Sequence, residues 1–205
     1  KGNFIKTQAN AGYIEIIEKN LFDKEMIDPL FKKADICINL VGILYEKGKN
    51  SFNNIHINLP KLLATLCKEN NLSQFIHLSA LGLEGIKDSK YALSKIEGEI
   101  EIKKLFPKVT ILKPSVVYSI DDSFTTTFMT LLSRLPILPL YYNGKTKFMP
   151  IHCSDLTDII THIVKNEINN EIIECGGPEE ITFKEMIITL MDLINKKRLL
   201  LPLPL

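Results

Sequence analysis

The sequence predicts an α/β chain built on a doubly wound parallel sheet, on three observations. Short apolar runs such as Phe75-Ile76-His77-Leu78 and Asp35-Ile36-Cys37-Ile38-Asn39-Leu40-Val41 are nearly uninterrupted, as in strands covered on both faces. They alternate with helical segments, an order that gives parallel strands joined by right-handed crossovers. Gly42, Ser79 and Pro114-Ser115 follow three of the runs, at the carboxyl edge where open α/β sheets bind their ligands.

Taken in order, Tyr13-Ile14-Glu15-Ile16-Ile17 alternates and reads as a strand. Residues 23–33 read as a helix, with Pro29 delaying its start or kinking it. Residues 35–41 are the buried strand quoted above, and 54–70 read as a helix kinked at Pro60. Strand 75–79 and helix 89–105 come next, the helix stopping before Pro107, and strand 109–113 follows. Residues 124–134 read as a helix, and Leu135-Pro136-Ile137-Leu138-Pro139-Leu140 is too proline-rich to continue it. Residues 148–152 read as a short strand, and Ser154 can cap a helix to about Asn166, braced by Asp155. Glu171-Ile172-Ile173-Glu174-Cys175 is a strand ended by Gly176-Gly177-Pro178. Thr182 and Glu185 form a capping box for a helix to about Asn195.

The 205 residues are 45% hydrophobic and 24% charged, ordinary for a folded chain of one or two lobes. Formal net charge is +1 with no basic run, which argues against nucleic acid, and no apolar stretch reaches the ~18 residues of a membrane span. Cys37, Cys67, Cys153 and Cys175 show no paired spacing and read as free thiols in a reducing compartment. His56, His77, His152 and His162 lack metal-ligand spacing.

The residues that carry chemistry lie between 75 and 118. The pattern Tyr-x3-Lys is unspecific by itself, since a chain with 6 tyrosines and 25 basic residues gives roughly 0.7 matches by chance. Three occur. Tyr45/Lys49 lies beside Gly48 in a loop, and Tyr141/Lys145 spans the turn signal Asn143-Gly144. Only Tyr91/Lys95 falls inside a helix, where positions i and i+4 share a face. It also follows the strand-end Ser79 by twelve residues and precedes the Pro114-Ser115-Val116 strand end. This is the layout that holds a nicotinamide ring beside a phenol and an ammonium. A phenol with pKa near 10 exchanges protons poorly at neutral pH, and a nearby ammonium favours the phenolate. The ammonium can also donate to a cofactor ribose, and Ser79 can bond a substrate oxygen where charge develops. Asn39, Leu40, Val41 and Gly42 end the preceding strand where a cofactor can approach the backbone. Asn58 can point an amide toward Lys95 through water.

The ten glycines contain no GxGxxG, the loop that places a pyrophosphate at a helix N-terminus. Lys1 stands where a methionine would begin a chain, and the sequence ends in the apolar run 199–205. The expectation is a Rossmann-type sheet lacking its first βαβ unit, in a fragment cut at both ends. Residues 1–120 would be a partial dinucleotide-binding domain. Residues 121–205 would form a C-terminal substrate or partner lobe, with strand 171–175 returning to the main sheet.

Taken jointly, these residues resemble the extended or atypical short-chain dehydrogenase/reductase superfamily and its NAD-dependent epimerase/dehydratase-like members. The resemblance rests on 34–42, His77-Leu78-Ser79-Ala80-Leu81-Gly82, 91–98, Phe106-Pro107 and Leu112-Lys113-Pro114-Ser115. It continues through Leu138-Pro139-Leu140, Pro150, Asp155, Gly176-Gly177-Pro178 and Leu201-Pro202-Leu203-Pro204, whose tail is most similar to the NAD(P)-binding accessory subunits of respiratory complex I and their bacterial relatives. Departures are Tyr118-Ser119-Ile120 in place of a Gly-Pro turn, and Pro60 near small residues of the family's helix.

The resemblance implies that Tyr91 and Lys95 match the active-site motif, Ser79 the serine position and Asn58 the asparagine of the preceding helix. It implies that Gly42, Pro114, Ser115 and Val116 line an NAD or NADP site. The function it implies is a nucleotide-binding accessory subunit of a respiratory NADH:quinone oxidoreductase-like assembly, peripheral to an energy-transducing membrane. The alternatives are a free NAD(P)-dependent oxidoreductase or epimerase with Tyr91 as acid/base, and, more distantly, a non-catalytic NADP redox sensor. Without the glycine loop, the fragment by itself is expected to bind dinucleotide weakly or not at all.

Overall fold

The computed structural model describes residues 12–204, together with Ile5 and Asn10; Leu205, the last residue of the apolar tail, lies outside them. Four parallel strands form the main sheet: β1 (Ile36–Asn39), β2 (Gln74–Leu78), β3 (Thr110–Pro114) and β8 (Ile172–Cys175), in the order β1-β2-β3-β8. Consecutive residues of a strand face opposite sides. Phe75 and Ile111 therefore enter one core with α1 (Lys24–Phe31), α2 (Leu59–Glu69) and α3 (Lys90–Leu105). Their neighbours Ile76 and Leu112 enter another with Leu156 and Ile163 of α5 (Cys153–Lys165). With helices on both faces, Phe75, Ile76, Ile111 and Leu112 of the two central strands are fully buried.

A third core belongs to the later residues. Leu132 of α4 (Ser123–Arg134) and Met186, Ile187 and Leu190 of α6 (Phe183–Leu193) pack on Leu138 and Leu140 of β5 (Ile137–Tyr141). Strand β5 pairs in parallel with β10 (Leu199–Leu203), with Leu201 opposite Pro139. Each strand has a single neighbour, so Pro139 and Pro202 forfeit no essential ladder bond. Two short pairs join this region to the sheet: β4 (Val117–Tyr118) with β7 (Ile151–His152), and β6 (Lys147–Phe148) with β9 (Ile181–Thr182).

Several expectations need correction. Residues 14–20 form no strand, and Tyr13 and Ile17 are exposed; alternation alone makes no strand where no described neighbour pairs with it. The segment expected as one helix over 54–70 starts with a π-helical turn, Asn53–Asn58, and becomes α-helical at Leu59. Pro60 explains the change: it has no N–H for the His56 carbonyl four residues back, and the Leu59 N–H bonds Asn54 five residues back instead. Residues 148–152 split at Pro150 into β6 and β7, which pair with different partners. The cap of α5 is the His152 imidazole, which accepts from the Ser154 N–H at 3.2 Å, so Ser154 lies inside the helix. The capping box of Thr182 and Glu185 on α6 forms as expected, and Asp23 and Ser89 cap α1 and α3.

Candidate functional site

The site begins with a close approach of two backbones. A Cβ placed on Gly98 of α3 would stand 2.0 Å from the His56 carbonyl oxygen, so only glycine lets α3 lie against the π-turn. The carbonyl that Pro60 leaves without a helical donor is thus the one that α3 covers. One and two turns before Gly98 on the same helix stand Lys95 or Ser94, and Tyr91. The approach therefore sets the position of both members of the Tyr-x3-Lys pair.

Tyr91 is half-buried, its ring edge-on to His56 at 5.4 Å and to Phe52 at 5.9 Å, and its hydroxyl has no hydrogen-bond partner among the described residues. The backbone is tied to the same histidine. The Ile43 N–H donates to His56 Nε2 at 3.2 Å, which leaves the proton on Nδ1 to donate to Ser94 Oγ at 2.9 Å. The Ser94 hydroxyl then donates to the Tyr91 carbonyl at 2.8 Å. Burial and the Lys95 charge push the His56 pKa down to about 4, so it stays neutral, as this chain of donors requires.

Lys95 is 5% exposed, and its ammonium donates to the Leu78 carbonyl at 3.1 Å, its one partner among the described residues. Burial lowers its pKa to about 8, with Glu99 acting in the opposite direction. A Cβ on Gly42 would lie 3.5 Å from Lys95 Nζ, so the loop after β1 passes directly over the ammonium. The expectation that Lys95 lowers the Tyr91 pKa is not met: burial raises the phenol. The ammonium is directed to the strand-end carbonyl, and desolvation of the ring dominates.

Ser79 occupies the strand end but faces elsewhere. It is 6% exposed, and its hydroxyl donates to the Glu99 carboxylate. The other Glu99 oxygen pairs with Lys113 Nζ at 3.1 Å, and Lys113 also pairs with Glu84 at 2.5 Å. Burial works against the Lys113 charge, and the bonds to Glu84 and Glu99 outweigh it, so its pKa lies above the ordinary value. Glu99 and Lys113 were not singled out in the sequence. The available signal was Glu99 four residues after Lys95 on the same helical face.

The remaining candidates divide. Asn39 is buried, its amide bonding His77 Nδ1 at 3.0 Å and the Val41 N–H at 3.1 Å, and it braces the loop over Lys95 instead of facing a ligand. Leu40, Val41 and Gly42 are exposed on the carboxyl edge of β1. Asn58 is exposed and its amide donates to Asn54 at 3.2 Å, while His56, two residues before it in the π-turn, is buried. Pro114, Ser115 and Val116 line an open cleft of about 700 Å³ together with Tyr91, Ala80 and Leu81. Tyr45/Lys49 lies in the loop bridged between Lys47 and Asn50, and Tyr141/Lys145 brackets a 3-10 turn, so neither builds a site. Among the described residues no cluster of three His, Cys, Asp or Glu side chains suits a metal ion.

The arrangement fits the nicotinamide half of a dinucleotide. Among the described residues two N–H donors of Lys95 and the Tyr91 hydroxyl have no partner and could meet ribose hydroxyls, and the Pro114-Ser115-Val116 turn borders the same cleft. The pyrophosphate would need a glycine loop that these residues do not include.

Comparisons with known proteins bear on the fold and on the resemblance. No family model matches the chain. It is 27% identical over 189 residues, 92% of its length, to NADH dehydrogenase (ubiquinone) 1 alpha subcomplex subunit 9, mitochondrial, of Dictyostelium discoideum. It is 24% identical over 202 residues to the same subunit of Mus musculus. The chain spans about half the length of these curated relatives, 52% and 54%. Among solved structures, dTDP-glucose 4,6-dehydratase of Streptomyces venezuelae with NAD bound superposes with TM-score 0.81 at 17% identity, over 96% of this chain and 70% of that one. UDP-glucuronic acid 4-epimerase of Bacillus cereus in complex with NAD gives 0.79 at 21% identity, over 99% and 74%. In sequence the chain is similar to the complex I subunits, and in fold to the NAD-dependent epimerases and dehydratases, so the resemblance drawn from its residues is borne out.

Proposed function

We propose that the chain is the nicotinamide-side body of an NAD(P)(H)-binding accessory subunit of a respiratory NADH:quinone oxidoreductase-like assembly, which holds its cofactor without steady turnover. The observation that carries this reading is the pairing of a retained Lys95 anchor with a diverted Ser79. The ammonium keeps two donors for a ribose, while the serine hydroxyl is committed to Glu99 and polarises no substrate oxygen beside Tyr91. The raised Tyr91 pKa also disfavours a proton-transfer role at neutral pH. The similarity to complex I subunits supports the assembly, and the NAD in the structural neighbours supports the cofactor.

The β5/β10 ribbon suits a subunit that docks on others. Its inner residues pack on α4 and α6, while Ile137, Tyr141, Leu199 and Leu201 are exposed on the outside. Among the described residues no helix is long and apolar enough to cross a membrane. The mitochondrial relatives support attachment at the edge of an energy-transducing membrane.

Isolation of the protein at native length from its own cells, in mild detergent, tests the reading. It should migrate with respiratory complex subunits and release a nicotinamide dinucleotide on denaturation. Migration as a free monomer with steady dinucleotide-dependent turnover that Tyr91→Phe abolishes would select the free oxidoreductase instead, a reading favoured by the retained Tyr91/Lys95 pair.

A further inference from the structure

We propose that the part of the cleft beyond Tyr91 takes a single aliphatic chain bearing one polar end, and not a nucleoside diphosphate sugar. The inference rests on the reading of the Tyr91/Lys95 crevice as the nicotinamide site and names what lies across from the ring. The cleft, about 700 Å³, is within the range of small-molecule sites. Its far wall is apolar: Leu81 and Ile86 after β2, Phe124 on α4, Phe148 on β6 and Met149 beyond it. Phe124 stacks edge-on with Phe128, and Phe128 with Phe183, at 5.1 and 5.2 Å, which fixes the aromatic side of the wall to the third core.

The charged side chains around this wall are paired with each other, and the backbone of Met149 is bonded within the protein. Among the described residues the one cation lining the cleft, Lys147, is paired with Glu180 at 2.7 Å. Ser115 Oγ accepts the Met149 N–H at 3.1 Å, and the Met149 carbonyl accepts the Gly177 N–H at 2.9 Å. A diphosphate carries two or more negative charges and binds where guanidinium, ammonium or grouped N–H donors await it. Here it would meet no unpaired cation among the described residues that line the cleft, and it would be desolvated against leucine, isoleucine and phenylalanine at a large cost. An aliphatic chain makes the opposite demand. It needs apolar surface along its length and one hydrogen-bond partner at its end, and the Tyr91 hydroxyl, which lines the cleft without a partner among the described residues, can supply it. The mouth is apolar as well: Ile86 is 42% exposed and Leu44 73%, an apolar rim along which a longer chain can leave the cleft.

Calorimetric titration of the native-length protein with 1-octanol, 1-decanol and 1-dodecanol, and separately with UDP-glucose and NADPH, tests the inference. Each added methylene should tighten alcohol binding about fourfold until the cleft is filled, since a buried methylene contributes about 0.8 kcal/mol. UDP-glucose should give no heat. Ile86→Arg and Phe124→Arg should each abolish the dependence on chain length, while Leu201→Asp, on the outer face of the β5/β10 ribbon, should leave it intact. Because Ile86 is already exposed, its replacement is compatible with folding, and circular dichroism checks this. Binding of UDP-glucose in place of the alcohols overturns the inference, as does alcohol binding that survives both cleft variants and disappears in Leu201→Asp. NADPH binding without alcohol binding sinks this inference and leaves the dinucleotide reading standing; alcohol binding without NADPH binding does the reverse.

Discussion

Replacing Gly98 with alanine tests how the site is assembled. An added Cβ would sit 2.0 Å from the His56 carbonyl oxygen and 3.1 Å from its carbon. Ordinary contact begins near 3.4 Å, so α3 and the π-turn must part by roughly 1.4 Å, and both sides of the contact are backbone that has no alternative rotamer. Overpacking of this kind costs about 1–3 kcal/mol, and a backbone clash belongs at the upper end. Alanine recovers about 1 kcal/mol through its better helix propensity. The net expectation is a loss of about 2 kcal/mol, which for a chain of this size lowers Tm by roughly 4–8 °C. Because Tyr91 and Lys95 ride on the same helix face, the shift also moves them away from the loop at Gly42. Thermal unfolding followed by circular dichroism, with dinucleotide titration on the folded variant, should show both a lower Tm and weaker binding. An unchanged or raised Tm with unchanged affinity would refute the argument, because it would mean that α3 does not depend on this contact.

Two further outcomes follow from the buried polar groups. Glu99→Gln removes the charge between Ser79 and Lys113, and breaking a buried pair should cost about 3 kcal/mol; a urea midpoint equal to that of the parent would contradict the buried network. His56 and His77 have pKa values lowered by burial to about 4 and about 3 from an ordinary 6.5. Below pH 6.5 the unfolded chain therefore binds more protons than the folded one, and stability present above that pH is lost as the medium is acidified toward 4. For His56 alone the loss is about 3 kcal/mol at 1.36 kcal/mol per unit. Urea midpoints at pH 7, 5.5 and 4.5 should fall steeply in the parent and less in His56→Gln; parallel slopes would show that His56 is not buried neutral.

Much of this was legible in the residues because burial on two faces leaves a plain trace. The runs around Ile36, Phe75 and Ile111 are mostly apolar, and they form adjacent parallel strands. The strand-end positions Ser79, Pro114 and Gly42 did converge on one edge with Lys95. What stayed hidden were the consequences of single backbone donors and of pairings distant in sequence. Pro60 signalled a kink, but the π-turn it causes decides that His56 faces Tyr91 and Asn58 faces solvent. Ser79 looked like a substrate partner because the acceptor that claims its proton, Glu99, lies twenty residues away on another element. The alternation at 13–17 suggested a strand, but a strand needs a neighbour as well as a pattern.

The central claim is that Lys95 anchors a nicotinamide ribose in the crevice under Gly42. Its most direct measurement is the affinity of the native-length protein for NADPH beside that of Lys95→Met, which keeps the buried stem and removes the three donors. The account predicts a folded variant whose binding is at least tenfold weaker, as loss of about 1.4 kcal/mol or more of charge-assisted hydrogen bonding requires. Equal affinity in the two proteins would contradict it.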